Sequence, residues 1–169
     1  VQQTEITLEA NPGAADINRF TGYLEAGVNR LSLGIQSFSD NKLRSLGRIH
    51  DASQARRAIS ATQDAGFTNF NIDLMFGLPD QDEKGALDDL TIALSYAPKH
   101  LSLYQLTIEP NTYFAVNPPI LPDEETDWRI RNVLYDLVKM NGYHRYEVSA
   151  FSKPESQCFH NLSVWRFGD

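Results

Sequence analysis

At 169 residues the chain is long enough for one domain with a sizeable core, and its composition is that of an ordinary globular protein. A net charge of −7 argues against a nucleic-acid surface built on bulk positive charge. No apolar run approaches the roughly 18 residues that a membrane span needs, no signal peptide heads the sequence, and the single cysteine, Cys158, leaves no intrachain disulfide and no cysteine-rich metal site, so a cytoplasmic protein is expected.

Residues 4–10 predict a first strand, closed by the turn signal Asn11-Pro12-Gly13. A helix is predicted over 16–26, with Ile17, Phe20 and Leu24 at helical spacing and Gly27 as its stop. The second strand is 30–35. Ser39 or Asp40 is placed to cap a short helix through Leu46, before Gly47. Asp51 is placed to cap the next, which carries Ala55, Ala58, Ile59 and Thr62 on one side and runs to about Ala65. The third strand lies in 71–79 and stops at Gly77-Leu78-Pro79. A helix over 83–96 turns Leu87, Leu90 and Leu94 inward, and a fourth strand occupies 101–107. A proline-rich loop over 109–122 is long enough to be functional. The helix over 124–140 has a stripe of Ile130, Val133, Leu134, Leu137 and Val138, and Asn141-Gly142 ends it. A fifth strand is predicted over 145–150. The tail after Lys153-Pro154 has no clear period.

Strand and helix in repeated alternation imply parallel strands. Parallel strands buried on both faces are usually apolar throughout, whereas these alternate. Ile6 and Leu8 oppose Glu5, Thr7 and Glu9. Leu31, Leu33 and Ile35 oppose Arg30, Ser32, Gly34 and Gln36. Ile72, Leu74 and Phe76 oppose Asn71, Asp73 and Met75. The expected fold is therefore α/β, a partial (βα) barrel of parallel strands with outer helices. Its apolar faces meet the helices and its polar faces line a lumen. A sheet with one solvated face fits the same pattern.

Ligands of α/β proteins bind at the C-terminal ends of the strands. Glu9, Gln36 and Thr107 lie at such ends, and Asp73 and Glu147 lie within strands. Arg48 follows the short helix after the second strand and can fold back over the mouth. Such a ring suits a small, polar, partly cationic ligand. Each residue also has a plainer reading: a solvated strand-end Glu9, an Asp73 that accepts backbone N–H groups, and a surface Arg48. Asp123-Glu124-Glu125 suits a first helical turn. Cys158 and His160 are one ligand each, fewer than a metal site takes. Recurrence on one face is what singles out Glu9, Gln36 and Asp73.

Several motifs, in order, resemble a known family. They are Leu8-Glu9-Ala10-Asn11-Pro12-Gly13, the run from Arg30 to Phe38, Leu46-Gly47-Arg48-Ile49-His50, the run from Asn71 to Pro79, the run from Leu101 to Thr112, and Tyr146-Glu147-Val148-Ser149-Ala150-Phe151. Together they resemble the radical SAM family of oxygen-independent coproporphyrinogen III oxidases (HemN) and their heme-chaperone relatives (HemW). The tail segment Cys158-Phe159-His160-Asn161-Leu162 is more similar to the HemW branch. It departs from that branch at Glu155, where the family usually has Gly, and at Val164, where it has Tyr.

The resemblance implies a partial barrel that binds S-adenosylmethionine (SAM) beside a [4Fe–4S] cluster. The family's SAM-contacting positions fall on Glu9, Gln36, Arg48 and Asp73, and its heme-linked His-Asn segment on His160. Carboxylates can accept from the ammonium or ribose diol of SAM, and a guanidinium can hold its carboxylate. Residues 1–152 are then the middle and later part of the barrel, and 153–169 the start of a C-terminal segment. The family's Cys-x3-Cys-x2-Cys loop is missing. The chain is therefore expected to be a fragment of a longer protein, with that loop upstream, and alone is not expected to assemble the cluster or cleave SAM. No catalytic residue is assigned. The implied function is binding of heme and its transfer to an acceptor protein. The alternatives are coproporphyrinogen III oxidation and an unrelated barrel enzyme with a carboxylate-lined site.

Overall fold

A computed structural model describes residues 4–14 and 17–167. Four parallel strands form the body of one sheet: β1 (Thr7–Ala10), β2 (Arg30–Gln36), β3 (Phe70–Phe76) and β4 (His100–Gln105). A 3-10 turn (Pro12–Ala14) and α1 (Ile17–Glu25) follow β1, and α2 (Asp40–Ser45) and α3 (Ala52–Asp64) follow β2. The predicted start of α1 at Asp16 lies outside the described residues. After β3 comes α4 (Glu83–Ser95). A single helical turn, α5 (Tyr113–Val116), sits in the proline-rich loop, and α6 (Glu124–Met140) follows it.

Local chemistry accounts for these boundaries. Asp51 accepts from the backbone N–H of Gln54 at 2.7 Å while the Gln54 side chain takes the Asp51 N–H at 2.9 Å, a reciprocal box that starts α3. Asp82 and Asp123 cap α4 and α6 through Gly85 and Thr126 in the same sense. The apolar alternation predicted in the second and third strands is borne out, whereas Ile6, predicted on the apolar face of the first, lies before β1 and is exposed. Leu31, Leu33, Ile35, Ile72 and Leu101 are wholly buried against Ile59, Leu90 and Ile130 of the helices, each side chain contributing about 1.5–3 kcal/mol.

The fifth strand differs from expectation. Two short strands, β5 (His144–Arg145) and β6 (Ala150–Ser152), replace it, and the sheet order is β1-β2-β3-β4-β6-β5. β6 runs antiparallel to both β4 and β5, so β5 keeps the predicted direction but stands at the edge. The reason is local. Arg145 Nη2 donates to the Val148 carbonyl at 2.6 Å and the Glu147 carboxylate accepts from Ser149 N–H at 2.7 Å. These bonds close a turn over 146–149 in place of a ladder. The tail, predicted without period, forms α7 (Phe159–Trp165). Among the described residues no helix is long and apolar enough to cross a membrane.

Candidate functional site

The polar face of the sheet is the floor of a cleft of about 1010 Å³, at the upper end of the range for ligand sites. Thr7 and Glu9 of β1, Arg30 and Ser32 of β2, Asn71 and Asp73 of β3, and His100, Ser102 and Tyr104 of β4 line it. Residues of α7 and its approach, Cys158 to Asn161 and Ser163, wall its other side.

Side-chain hydrogen bonds run continuously across this floor. Asn71 donates through Nδ2 to Asp73 Oδ1 at 2.7 Å and to Ser32 Oγ at 2.8 Å, and Ser32 Oγ reaches Asp73 Oδ2 at 3.3 Å. The Asn71 oxygen then accepts, from Ser102 Oγ at 3.1 Å and from His100 Nδ1 at 2.7 Å. That assignment leaves His100 Nε2 as the acceptor of the Tyr146 hydroxyl at 2.6 Å. The Tyr146 oxygen in turn accepts from Cys158 N–H at 3.1 Å and Asn161 Nδ2 at 3.2 Å. Glu5 takes Cys158 Sγ at 3.3 Å and Phe159 N–H at 3.0 Å. Thus α7 is docked on the cleft by Tyr146 and Glu5.

Electrostatics agree with the bonding. Burial, and to a smaller degree the Arg30 guanidinium, hold the His100 imidazole down at about 3, so it is neutral, as the assignment requires. Burial pushes the Asp73 carboxyl above its ordinary value. Polar contacts from Asn71, Ser102 and Ser32 pull it back, and the Glu9 charge pushes it up again. No cation pairs with Asp73 among the described residues. Its carboxylate is turned toward the cleft, and the one cation that lines the cleft, Arg30, forms no ion pair with it.

The sequence-predicted residues are not all gathered in this cleft. Glu9 and Asp73 line it at its C-terminal end, and His160, exposed on α7, lines it from the opposite wall. Gln36 is not a lining residue. It ends β2 with φ of 67°, and its amide folds back over Gly34, where a Cβ would meet Gln36 Nε2 at 3.3 Å and Asn11 Oδ1 at 3.1 Å. Arg48 is exposed outside the cleft. Its turn is tied to the end of β2 by His50, which is buried and meets the Ile35 carbonyl at 3.1 Å. Thr107 bonds Glu109 at 3.1 Å and Glu147 is held in its turn. Sequence reasoning missed His100, Ser102 and Tyr104, although their alternation with Leu101 and Leu103 is visible in the sequence. It also missed Tyr146, whose role depends on the turn that replaced the fifth strand.

The donor set fits SAM, since two mutually repelling carboxylates at one end of a polar cleft suit a ligand with an ammonium and a diol. The cleft volume and His160 fit heme. The cluster does not fit. Burial raises the Cys158 thiol, which donates to Glu5, and among the described residues no three His, Cys, Asp or Glu side chains are grouped to hold a metal.

Comparison with known proteins gives three findings. The family profile of the radical SAM superfamily matches residues 1–90. The chain is 54% identical, over 98% of its length, to the heme chaperone HemW of Haemophilus influenzae, and 53% identical, again over 98%, to that of Escherichia coli. It spans 43% and 44% of those two proteins. Among solved structures it matches the radical SAM enzyme coproporphyrinogen III oxidase (HemN) from Escherichia coli with a TM-score of 0.81 at 23% identity, over 96% of this chain and 38% of that one. That identity is a likeness of fold.

Proposed function

The chain belongs to the radical SAM superfamily, and on that premise we propose that it forms the sheet and cleft of a heme chaperone, a protein that binds SAM and heme and passes heme to an acceptor protein. Membership excludes an unrelated barrel enzyme. The observation that carries the proposal is the division of one cleft, with carboxylates that form no ion pair at its C-terminal end and α7, bearing His160, on its wall. The similarity to the two heme chaperones over nearly the whole chain supports it.

The chain's own part is binding. Asp73 and Glu9 accept from the ammonium or diol of SAM. Arg48 and Gln36, which do not line the cleft here, would complete that site only if the turn after β2 moved toward it, Arg48 then offering the ligand's carboxylate a guanidinium that makes no other hydrogen bond among the described residues. SAM would supply radical chemistry only beside a [4Fe–4S] cluster, and no described residues are grouped to hold one. His160 is the candidate heme contact, carried by a segment, 153–167, distinct in role from the sheet.

Titration of hemin into the full-length protein, followed in the Soret region beside a coproporphyrinogen decarboxylation assay, tests the reading. Saturable hemin binding without turnover is the expected outcome, with His160→Ala altering the Soret band. Turnover would establish the oxidase instead.

A further inference from the structure

Arg30 is a buried charge in the cleft for which neither the SAM site nor the α7 contacts supply a partner. It opens β2 and points to the polar face at the end of the cleft away from Glu9, yet it is only 4% exposed. A guanidinium offers five N–H donors in a rigid fork. Here Nη1 makes one limiting contact, to Thr7 Oγ1 at 3.5 Å, and Nε is buried with no partner at all. No carboxylate pairs with it among the described residues. The nearby acid on the cleft wall, Glu5, is already committed to Cys158 and Phe159. Burying an unpaired charge costs several kcal/mol unless an anion compensates it.

The wall facing this end is informative. It is made by Cys158, Phe159, His160 and Asn161, so the unpaired guanidinium and the candidate heme contact open into the same space. Arg30 also acts on that wall electrostatically, lowering the Cys158 thiol and the Tyr146 hydroxyl against the burial that raises both. A planar, two-pronged donor selects a carboxylate. Heme carries two, as propionates on one edge of the macrocycle. We propose that Arg30 is the anchor for a heme propionate, which sets the edge of the macrocycle that enters the cleft. This rests on the heme-binding reading above and adds to it a named recognition site.

The test compares hemin with its dimethyl ester, which keeps the metal and macrocycle but lacks free carboxylates. Both are titrated into the full-length wild-type protein and into Arg30→Gln. The inference expects Arg30→Gln to weaken hemin by about tenfold or more and to leave the ester within about twofold. Equal weakening of both ligands, or no weakening of hemin, overturns the anchor while leaving heme binding intact. Absence of saturable hemin binding by the wild type overturns the heme reading itself, and the anchor with it. Ligand-free melting of Arg30→Met separates binding from folding. Removing an unpaired buried charge keeps Tm at or above that of the wild type, whereas a clear fall would show that Arg30 has a structural partner and overturn the inference.

Discussion

His100 is the residue whose surroundings are most completely specified. Its neutral state follows from the bonds it makes: Asn71 must donate to Asp73, so its oxygen accepts from His100, and the other ring nitrogen accepts from Tyr146. The pH dependence has a definite sign. The unfolded chain protonates this histidine below its ordinary value of 6.5, the folded chain only near 3. The unfolded state therefore binds the extra proton between those values. The contribution of His100 to stability is complete above 6.5 and is lost as pH falls toward 3, by about 1.4 kcal/mol for each pH unit. Urea melts of the full-length protein at pH 7 and pH 5 are expected to show a smaller acid loss for His100→Gln than for the wild type. An identical loss in both would show that the histidine titrates normally in the folded protein. Asp73 has the opposite character. Its carboxyl is raised by burial, so in the absence of a ligand its ionisation works against the fold as pH rises, and a bound cation would relieve that cost.

Elements that repeat a period were legible in the sequence. The two-residue alternation in β2 and β3 gave the buried and polar faces, and the cap at Asp51 and the acidic turn from Asp123 marked helix starts, because both signals are local. The polar floor of β4 was equally visible but lay in a strand of mixed character. The hairpin of β5 and β6 was not legible. It depends on side-chain bonds from Arg145 and Glu147 to the backbone, which no periodicity reports. Seven residues make about two turns, too few to display a helical stripe, so α7 was hidden too. The Gly77-Leu78-Pro79 stop has a cause that only the fold supplies. Gly77 has φ of +68°, and a Cβ there would lie 2.6 Å from Asp127 Oδ1 of α6, whose carboxylate also accepts from Gln105 of β4. Gly77→Ala meets both the left-handed backbone penalty of about 1–2 kcal/mol and that collision. Equilibrium unfolding of the full-length variant should show a loss of at least about 2 kcal/mol. A loss below half that would mean that the turn relaxes freely.

At the scale of the whole molecule, one sheet separates two environments. Its apolar face is sealed by α3, α4 and α6, and its polar face is left to a cleft that α7 closes from the side. Composition and charge said little about this division, whereas the strand alternation carried it. Gln36, argued from its strand end, and Arg48, argued from the turn after the short helix, both lie outside the cleft lining, since both positions depend on how the chain turns after β2. The account therefore turns on Asp73, the carboxylate at the centre of the sheet. Its most direct test is the SAM affinity of the full-length, cluster-reconstituted protein, measured by calorimetry for the wild type, for Asp73→Asn and for Asp64→Asn on the exposed end of α3. The account predicts that Asp73→Asn weakens SAM by about tenfold or more and that Asp64→Asn changes nothing. Unchanged affinity in Asp73→Asn would contradict it.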